Sequence, residues 1–317
     1  MDIPNSKLEI SAGLSRQKII ILQGPTGVGK SGVAISLARA ISAEIINADS
    51  MQFYRYMDIG TSKPTHQEQS EIPHHLFSVV NPDENFNAAR FMHEARSIIA
   101  GIASRGKVSL VVGGTGLYVR SLTKGLSSAP AGDDRLRQEL LSLGKEKLYK
   151  ELQSVDPEAA QRIRPNDLVR LVRALEVCRL TGEPLSQHNQ RHRFKDEPYD
   201  CLKFCLTRPR DELYNLIEAR TKRMLEHGLV GEVESLLSRG YCPTHRPLQS
   251  IGYKQITLYL DGKLSLAEAA SLIQQETRRF AKRQLTWLRH DSDNIWVELP
   301  AMAPVVEQYA KKFLKLD

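Results

Sequence analysis

The sequence predicts an α/β fold, in which a parallel sheet is flanked by helices and interrupted by an all-helical module. Apolar, β-branched runs at 19–22, 44–48 and 108–112 predict strands. They alternate with helical patterns at 32–43 and from Leu117 onward. This strand–helix alternation is typical of a doubly wound parallel sheet.

The pattern changes after Gly125. A Ser-, Pro- and Gly-containing stretch at 127–132 reads as a linker, and helical patterns then continue to about Leu185. A strand pattern returns at 201–206, and helical patterns resume at Asp211. We therefore expect a helical insert within the α/β core, with three segments along the chain: 18–126, 127–195 and 196–317.

Composition excludes some classes of protein. The chain of 317 residues has a formal charge of +7, which is compatible with a polyanionic partner but is weak evidence alone. No run of 18 apolar residues predicts a membrane span. Residues 1–17 read as a loose leader without a signal-peptide core. The four cysteines lack zinc-site spacing: Cys178, Cys201, Cys205 and Cys242. Cys201 and Cys205 read as buried strand residues, and reduced thiols are compatible with the cytoplasmic monomer that we expect.

A phosphate-binding loop follows the first predicted strand and opens the first predicted helix. Its glycines allow backbone N–H groups to face an anion, and the helix N-terminus adds a favourable dipole. Lys30 adds a positive charge, and the Ser31 hydroxyl can hold Mg²⁺. The loop therefore predicts a bound diphosphate or polyphosphate, with these residues around it: Gly24, Pro25, Thr26, Gly27, Val28, Gly29, Lys30 and Ser31.

Two further strand ends carry polar residues that would face the same ligand. Asp49 follows the second strand and is either a general base, an indirect organiser of Mg²⁺ or a turn residue. Thr115 follows Gly113 and Gly114 and either contacts the ligand or caps the next helix. Because the strand at 108–112 ends in glycines rather than an acid, ATPase and GTPase functions are disfavoured.

An ordered set of motifs resembles the tRNA dimethylallyltransferase family. The resemblance extends over 24–289, nearly the whole chain, and its specificity lies in the order of the set rather than in one motif. The motifs are GPTGVGKS at 24–31, INADSMQFYRYMDIGTSKP at 46–64, IPHHLFSVVNPDENFNAARF at 72–91, VVGGTGLYVRSLTKGL at 111–126, RPNDLVRLVRALEVCRLTGEPLS at 164–186, ARTKRMLEHGLVGEV at 219–233, QSIGYKQITLYLDG at 249–262 and TRRFAKRQLTWLR at 277–289.

The resemblance implies transfer of a dimethylallyl group from dimethylallyl diphosphate to N6 of the adenine 3′ of the anticodon, in tRNAs that read codons beginning with U. Asp49 matches the family's catalytic aspartate, which would accept the N6 proton. Thr115 would hydrogen-bond the bridging oxygen. Lys30 and Arg220 would hold the departing diphosphate, although Arg223, one helical turn away, is an alternative to Arg220.

The resemblance also implies a set of tRNA contacts. The stretch at 277–289 has five basic residues and no acid, and it reads as a phosphate-binding face or as an ordinary solvated helix face. The histidines at 74 and 75 read as core or turn residues rather than metal ligands. The tRNA-binding residues that the resemblance implies are Asp49, Ser50, Met51, Gln52, Thr115, Arg137, Gln161, Arg162, Ile163, Arg164 and Pro165. The basic stretch adds Arg278, Arg279, Lys282 and Arg283 from its charge pattern.

Three other functions remain open at this point. A small-molecule kinase with a phosphate-binding loop would need an adenine-nucleotide lid and no basic insert. A non-catalytic RNA-binding protein would bind RNA without Asp49. A prenyltransferase acting on free adenylate should lack the insert, so the insert favours tRNA.

Overall fold

The computed structural model describes residues 16–127, 129–192 and 195–316. Most of the predicted leader lies outside these ranges, and Gln17 already belongs to the first strand. The chain forms two compact units. The first runs up to Thr123 and resumes at Pro198, and the second comprises Lys124–Glu197.

The first unit is built on a six-stranded sheet in which every pairing is parallel. The spatial order is β3-β2-β4-β1-β5-β6. This confirms the predicted α/β class. The strands are β1 (Gln17–Gln23), β2 (Ala43–Asn47), β3 (His74–His75), β4 (Val108–Gly113), β5 (Tyr199–Thr207) and β6 (Asn294–Glu298).

The central strand explains why the sheet forms. Ile19, Ile20, Ile21 and Leu22 of β1 are fully buried, as expected for a parallel strand covered on both faces. Ile20 lies opposite Leu110 of β4 on one side, and β5 pairs on the other. Alternate side chains of β1 therefore enter two hydrophobic clusters, one on each face of the sheet.

Fourteen α-helices accompany the sheet within the described residues. Those before β5 are α1 (Lys30–Ala40), α2 (His66–Glu71), α3 (Ala88–Ser104), α4 (Gly116–Lys124), α5 (Asp134–Ser142), α6 (Lys145–Val155), α7 (Pro157–Arg162), α8 (Leu168–Thr181) and α9 (Leu185–His192). Those after β5 are α10 (Arg210–Glu226), α11 (Leu229–Ser238), α12 (Tyr253–Leu260), α13 (Leu266–Leu288) and α14 (Ala303–Leu314). A short 3₁₀ helix, Arg246–Gln249, lies between α11 and α12.

Local sequence sets the helix ends. Asn87 caps α3 by accepting the N–H groups of Ala89 and Arg90, and Ser265 caps α13 with a capping box. The predicted end of the first helix at residue 43 was wrong. The helix ends at Ala40, and Ser42, at φ 51°, turns the chain directly into β2.

Two edge strands escaped prediction. The histidines of β3 form only a two-residue pairing beside β2, and Glu44 holds His75 at 2.7 Å. Asn294–Glu298 is a short strand whose two ends are polar, so its pattern is weak. Each of the two segments is a strand because it pairs with a neighbouring strand, β3 with β2 and β6 with β5, and that pairing is not a local property of the sequence.

The second unit consists of α5 to α9 around its own hydrophobic cluster, with Leu148, Leu152, Leu171 and Leu175 fully buried. The predicted insert at 127–195 falls within its bounds. Among the described residues of the whole chain, we find no helix both long and apolar enough to cross a membrane.

Candidate active site

The candidate site lies where the carboxyl ends of four neighbouring strands meet, in the order β2, β4, β1 and β5. The phosphate-binding loop follows β1, Asp49 follows β2, Thr115 follows β4, and Arg208 follows β5. Ligands of open parallel sheets bind outside these ends. The topology therefore brings the three predicted loops together.

The glycines of the loop are required by its backbone. Gly27 and Gly29 have φ values of 82° and 101°, a region that strongly favours glycine. At Gly24 an added Cβ would lie 2.7 Å from the carbonyl oxygen of Leu206, so β5 leaves no room for a side chain. The loop is consequently held close to the sheet, and α1 begins directly at Lys30.

Lys30 turns back over the loop that precedes it. Its Nζ donates to the carbonyl oxygens of Gly24 and Pro25, each at 2.9 Å. Burial lowers the pKa of Lys30 to about 8, with Asp49 opposing the shift and Arg220 adding to it. A bound anion would favour the protonated amine.

Arg220 reaches the loop from α10. Its guanidinium donates to the Thr26 hydroxyl, and its Nε donates to Ser62 Oγ at 3.1 Å. Burial lowers the pKa of Arg220, and nearby Asp49 opposes that shift. Arg223 lines the same cavity but is exposed. Of the two arginines left open by the sequence, Arg220 is therefore the one tied to the loop.

Asp49 and Thr115 belong to one hydrogen-bonded arrangement. Asp49 Oδ1 accepts the N–H of Met51 at 3.0 Å, which orients the carboxylate. Thr115 Oγ1 accepts the N–H of Ser50 at 3.0 Å, which leaves its own proton free to be donated. Asp49 faces the neighbouring cavities, whereas Thr115 is not among their described lining residues.

Two cavities meet at these residues. The first, which we call the phosphate cavity, has a volume of about 330 Å³. Its lining carries four cationic side chains, an arrangement suited to a diphosphate. Those of its lining residues that bear on function are Gly27, Gly29, Lys30, Ser31, Asp49, Ser62, Arg208, Arg220 and Arg223.

The second, the apolar cavity, has a volume of about 320 Å³. It shares Thr26, Asp49, Thr61 and Arg220 with the phosphate cavity. The phosphate cavity therefore adjoins the apolar cavity, and the Asp49 carboxylate lies in the lining of both. The apolar part of its lining comprises Met51, Ile217, Met224, Ile251, Tyr253, Ile273 and Phe280.

Sequence reasoning missed two residues that shape the loop. Arg208 Nε donates to the carbonyl of Val28 at 3.0 Å, and its place just after β5 was an available signal. Gln284 of α13 accepts the N–H of Thr26 at 2.8 Å and donates to the carbonyl of Gly114 at 2.9 Å. It thereby joins the ends of β1 and β4, and nothing near it in sequence indicates this.

The site's donors suit a magnesium ion that is shared with substrate. Among the described residues, no group of three or more His, Cys, Asp or Glu side chains forms a metal cage. Ser31 is exposed at the start of α1 and lines the phosphate cavity. Mg²⁺ often takes only one or two protein ligands and completes its shell with phosphate oxygens and water.

Two of the four predicted tRNA-binding residues of α13 form ion pairs with acidic residues that lie outside the stretch 277–289. Arg278 pairs with Glu218 at 2.8 Å, and Arg279 pairs with Glu276 at 2.6 Å. Lys282 and Arg283 are exposed, and Arg283 lies over the Phe280 ring and lines the apolar cavity. Two of these four cations therefore have an acidic partner on the surface.

In the second unit, the predicted contact Arg137 is held by an acid. Its Nε lies 2.8 Å from the carboxylate of Glu176, which is fully buried and also pairs with Arg173. Arg162 pairs with Glu158. The remaining residues of the predicted patch are exposed, apart from the partly buried Ile163: Gln161, Arg164 and Pro165.

Comparison with known proteins identifies the family. The family model described as IPP transferase matches residues 52–291, and that described as isopentenyl transferase matches residues 17–75. A protein of Geobacter metallireducens named tRNA dimethylallyltransferase is 53% identical over 289 residues, which cover 90% of this chain and 94% of the relative.

Solved structures agree. The tRNA isopentenylpyrophosphate transferase of Bacillus halodurans aligns with a TM-score of 0.71 at 36% identity, covering 95% of this chain and 97% of its own. A eukaryotic dimethylallyltransferase acting on tRNA aligns with a TM-score of 0.80 at 28% identity, covering 95% and 80%. These matches confirm the resemblance inferred from the motifs, and the chain belongs to the IPP transferase family, whose curated relatives are named tRNA dimethylallyltransferases.

Proposed function

We propose that this protein transfers a dimethylallyl group from dimethylallyl diphosphate to N6 of the adenine 3′ of the anticodon and releases diphosphate. The observation that carries the proposal is the pair of adjoining cavities. The lining of one carries four cationic side chains, the lining of the other is mainly apolar, and the Asp49 carboxylate lines both. A prenyl diphosphate has the same division into a charged head and an apolar tail.

The charged residues would act on the leaving group. As the bond between C1 and the bridging oxygen breaks, its electron pair moves to the diphosphate, and negative charge grows there. Lys30 and Arg220 are held beside the loop and line the phosphate cavity, so they would stabilise this charge. Ser31 would hold Mg²⁺, which when bound would supply further positive charge near the departing group.

Asp49 would remove the proton. The N6 lone pair is delocalised into the adenine ring, so the amine is a weak nucleophile and the new N–C bond forms as the proton leaves. The Asp49 carboxylate, oriented by the N–H of Met51, would accept that proton. Thr115, whose oxygen accepts the N–H of Ser50, would donate a hydrogen bond to the bridging oxygen and keep its own proton.

The adenine must leave its stack to reach such a site. Ser50, Met51 and Gln52 would hold the flipped base, and exposed cations of the two units, such as Lys282 and Arg164, would contact the RNA backbone. The cytoplasmic location, the monomeric state and the preference for tRNAs reading codons beginning with U stay predictions.

The alternative of a small-molecule kinase is not favoured. The family model covers residues 52–291, and the relatives that match most of the chain are named tRNA dimethylallyltransferases. A kinase would consume a nucleoside triphosphate, which this reaction does not require. A non-catalytic RNA-binding role would leave the Lys30 and Arg220 contacts without a purpose.

The test is a product assay. The protein is incubated with Mg²⁺, dimethylallyl diphosphate and unmodified tRNA, and the tRNA is then digested to nucleosides. We expect N6-dimethylallyladenosine from the single position 3′ of the anticodon. Its absence from a substrate that another family member modifies would overturn the proposal, and a matched incubation with ATP in place of the donor tests the kinase alternative.

A further inference from the structure

One loop borders both cavities and owes its position to a distant carboxylate. The loop at 57–63 supplies Thr61 to both cavities and Ser62 to the phosphate cavity. Gln52 donates to the carbonyls of Thr61 and Ser62 at 3.0 and 3.1 Å. These bonds fix the carbonyls of Thr61 and Ser62. Inside the loop, the N–H groups of Ser62 and Lys63 donate to the carbonyls of Ile59 and Asp58, which leaves the N–H groups at 58–60 in need of another acceptor.

Glu232 of α11 is that acceptor. One carboxylate oxygen accepts the N–H groups of Asp58 and Ile59 at 2.8 and 2.7 Å, and the other accepts the N–H of Gly60 at 3.0 Å. The Tyr253 hydroxyl completes the set at 2.6 Å. Four donors therefore converge on one side chain, which lies more than 170 residues from the loop in sequence.

Tyr253 contacts both Glu232 and the loop backbone. Burial, together with the Glu232 carboxylate, raises the pKa of Tyr253 well above its ordinary value, so the phenol keeps its proton and donates. At Gly60 an added Cβ would lie 2.5 Å from the Tyr253 ring. The loop backbone thus rests directly on this ring while Glu232 holds its N–H groups.

The anchored loop reaches the predicted diphosphate ligand through Ser62. Ser62 Oγ accepts Arg220 Nε at 3.1 Å, and the same guanidinium donates to Thr26 of the phosphate-binding loop. A guanidinium with two fixed partners loses less freedom when it binds an anion than one that is unrestrained. The path runs from Glu232 through the loop and Ser62 to Arg220.

We propose that Glu232 is a positioning residue for the transfer reaction. It fixes the loop at 57–63 so that Ser62 holds Arg220 at the phosphate cavity. The inference rests on the proposed function, because it takes Arg220 as a ligand of the diphosphate. Glu232 itself lines neither the phosphate cavity nor the apolar cavity among the described residues, so its effect is transmitted.

Both carboxylate oxygens of Glu232 act as acceptors in this arrangement. In Glu232→Gln one oxygen becomes an amide NH₂ group, which cannot accept the backbone N–H groups that the oxygen accepted. At least one loop N–H then loses its partner at nearly unchanged side-chain volume. We expect the affinity for inorganic diphosphate to fall about tenfold, in line with loss of one charge-assisted hydrogen bond.

The experiment measures binding of inorganic diphosphate by titration calorimetry at saturating Mg²⁺. Glu232→Gln is compared with Ser62→Ala, with the double variant and with Glu234→Gln. Glu234 lies on the same helix and is exposed, so it matches the charge change. We expect Glu234→Gln to bind like wild type, and the double variant to be no weaker than Glu232→Gln alone, because both changes break one path.

Steady-state kinetics supply the second measurement. The KM for dimethylallyl diphosphate should rise in Glu232→Gln while the KM for tRNA stays within about twofold. Folded Glu232→Gln with wild-type diphosphate affinity, or additive losses in the double variant, would overturn the inference. If Glu232→Gln does not fold, Tyr253→Phe replaces it in the cycle, since it removes one of the four donors and keeps the ring.

The same data separate this inference from the proposed function. If the wild-type protein binds no diphosphate and forms no prenylated adenosine, the proposed function fails. If wild type does both and the Glu232 cycle shows no effect, only the positioning role fails.

Discussion

Raising the pH should weaken the binding of dimethylallyl diphosphate, because one residue of its site, Lys30, loses its proton. Its amine donates to two loop carbonyls, and burial lowers its pKa to about 8. A diphosphate in the phosphate cavity favours the protonated amine, so the complex keeps the proton to a higher pH than the free protein does. The affinity for dimethylallyl diphosphate is therefore highest below the pKa that Lys30 has in the ligand-free protein, and it falls as the pH rises through that value.

The magnitude follows from this pKa. About nine tenths of the free sites carry the proton at pH 7, and about one tenth carry it at pH 9. The affinity for dimethylallyl diphosphate should thus halve near pH 8 and then fall by up to about tenfold per pH unit. A phosphate ester loses its last proton near pH 6, so the donor itself contributes little to the slope above pH 8.

Unfolding moves in the opposite direction, which provides a control. The unfolded chain holds the Lys30 proton up to the ordinary pKa of 10.5 and so binds more protons than the folded, ligand-free protein between about pH 8 and 10.5. In that window this group raises the free energy of unfolding by up to about 1.4 kcal/mol per pH unit. For Lys30, the rise in pH that weakens binding of dimethylallyl diphosphate therefore opposes unfolding.

The assay is titration calorimetry with dimethylallyl diphosphate from pH 6.5 to 9.5 at saturating Mg²⁺, comparing wild type with Lys30→Met. The variant should bind weakly and show little change with pH. The difference between the two proteins in unfolding free energy, measured with urea, isolates the stability effect. A wild-type affinity that stays level to pH 9, or an equal slope in Lys30→Met, would refute the reasoning.

Three further predictions concern other parts of the site. Asp49→Asn should lower kcat by about 10²–10⁴-fold and leave the tRNA Kd nearly unchanged, as single-turnover and filter-binding measurements would show; equal turnover removes the general-base role. Gln284→Leu leaves the N–H of Thr26 and the carbonyl of Gly114 unpaired, so urea unfolding should show a loss of about 1–3 kcal/mol for each group. The KM for dimethylallyl diphosphate should also rise. Unaltered stability would contradict the role of Gln284 in joining the two strand ends. Arg164→Glu should weaken tRNA binding and reduce its dependence on salt while donor binding persists, and an unchanged salt slope places recognition elsewhere.

The sequence by itself determined the local parts of this protein. The strand–loop–helix around Gly24–Ser31 is encoded within about twenty residues, because glycine torsions, a buried apolar strand and a helix start are all local properties. The placement of Asp49 and Thr115 at one edge also followed from sequence, since the carboxyl ends of parallel strands share an edge.

Tertiary structure decided which distant side chains complete the site. Gln284 joins Thr26 across 258 positions, and Glu232 reaches a loop more than 170 positions away. Each lies on a helix whose amphipathic pattern shows only that one face is buried, not which backbone group that face meets. The choice of Arg220 over Arg223 at the loop has the same origin, because helical spacing relates the two residues to each other and only the packing of α10 brings one of them to Thr26.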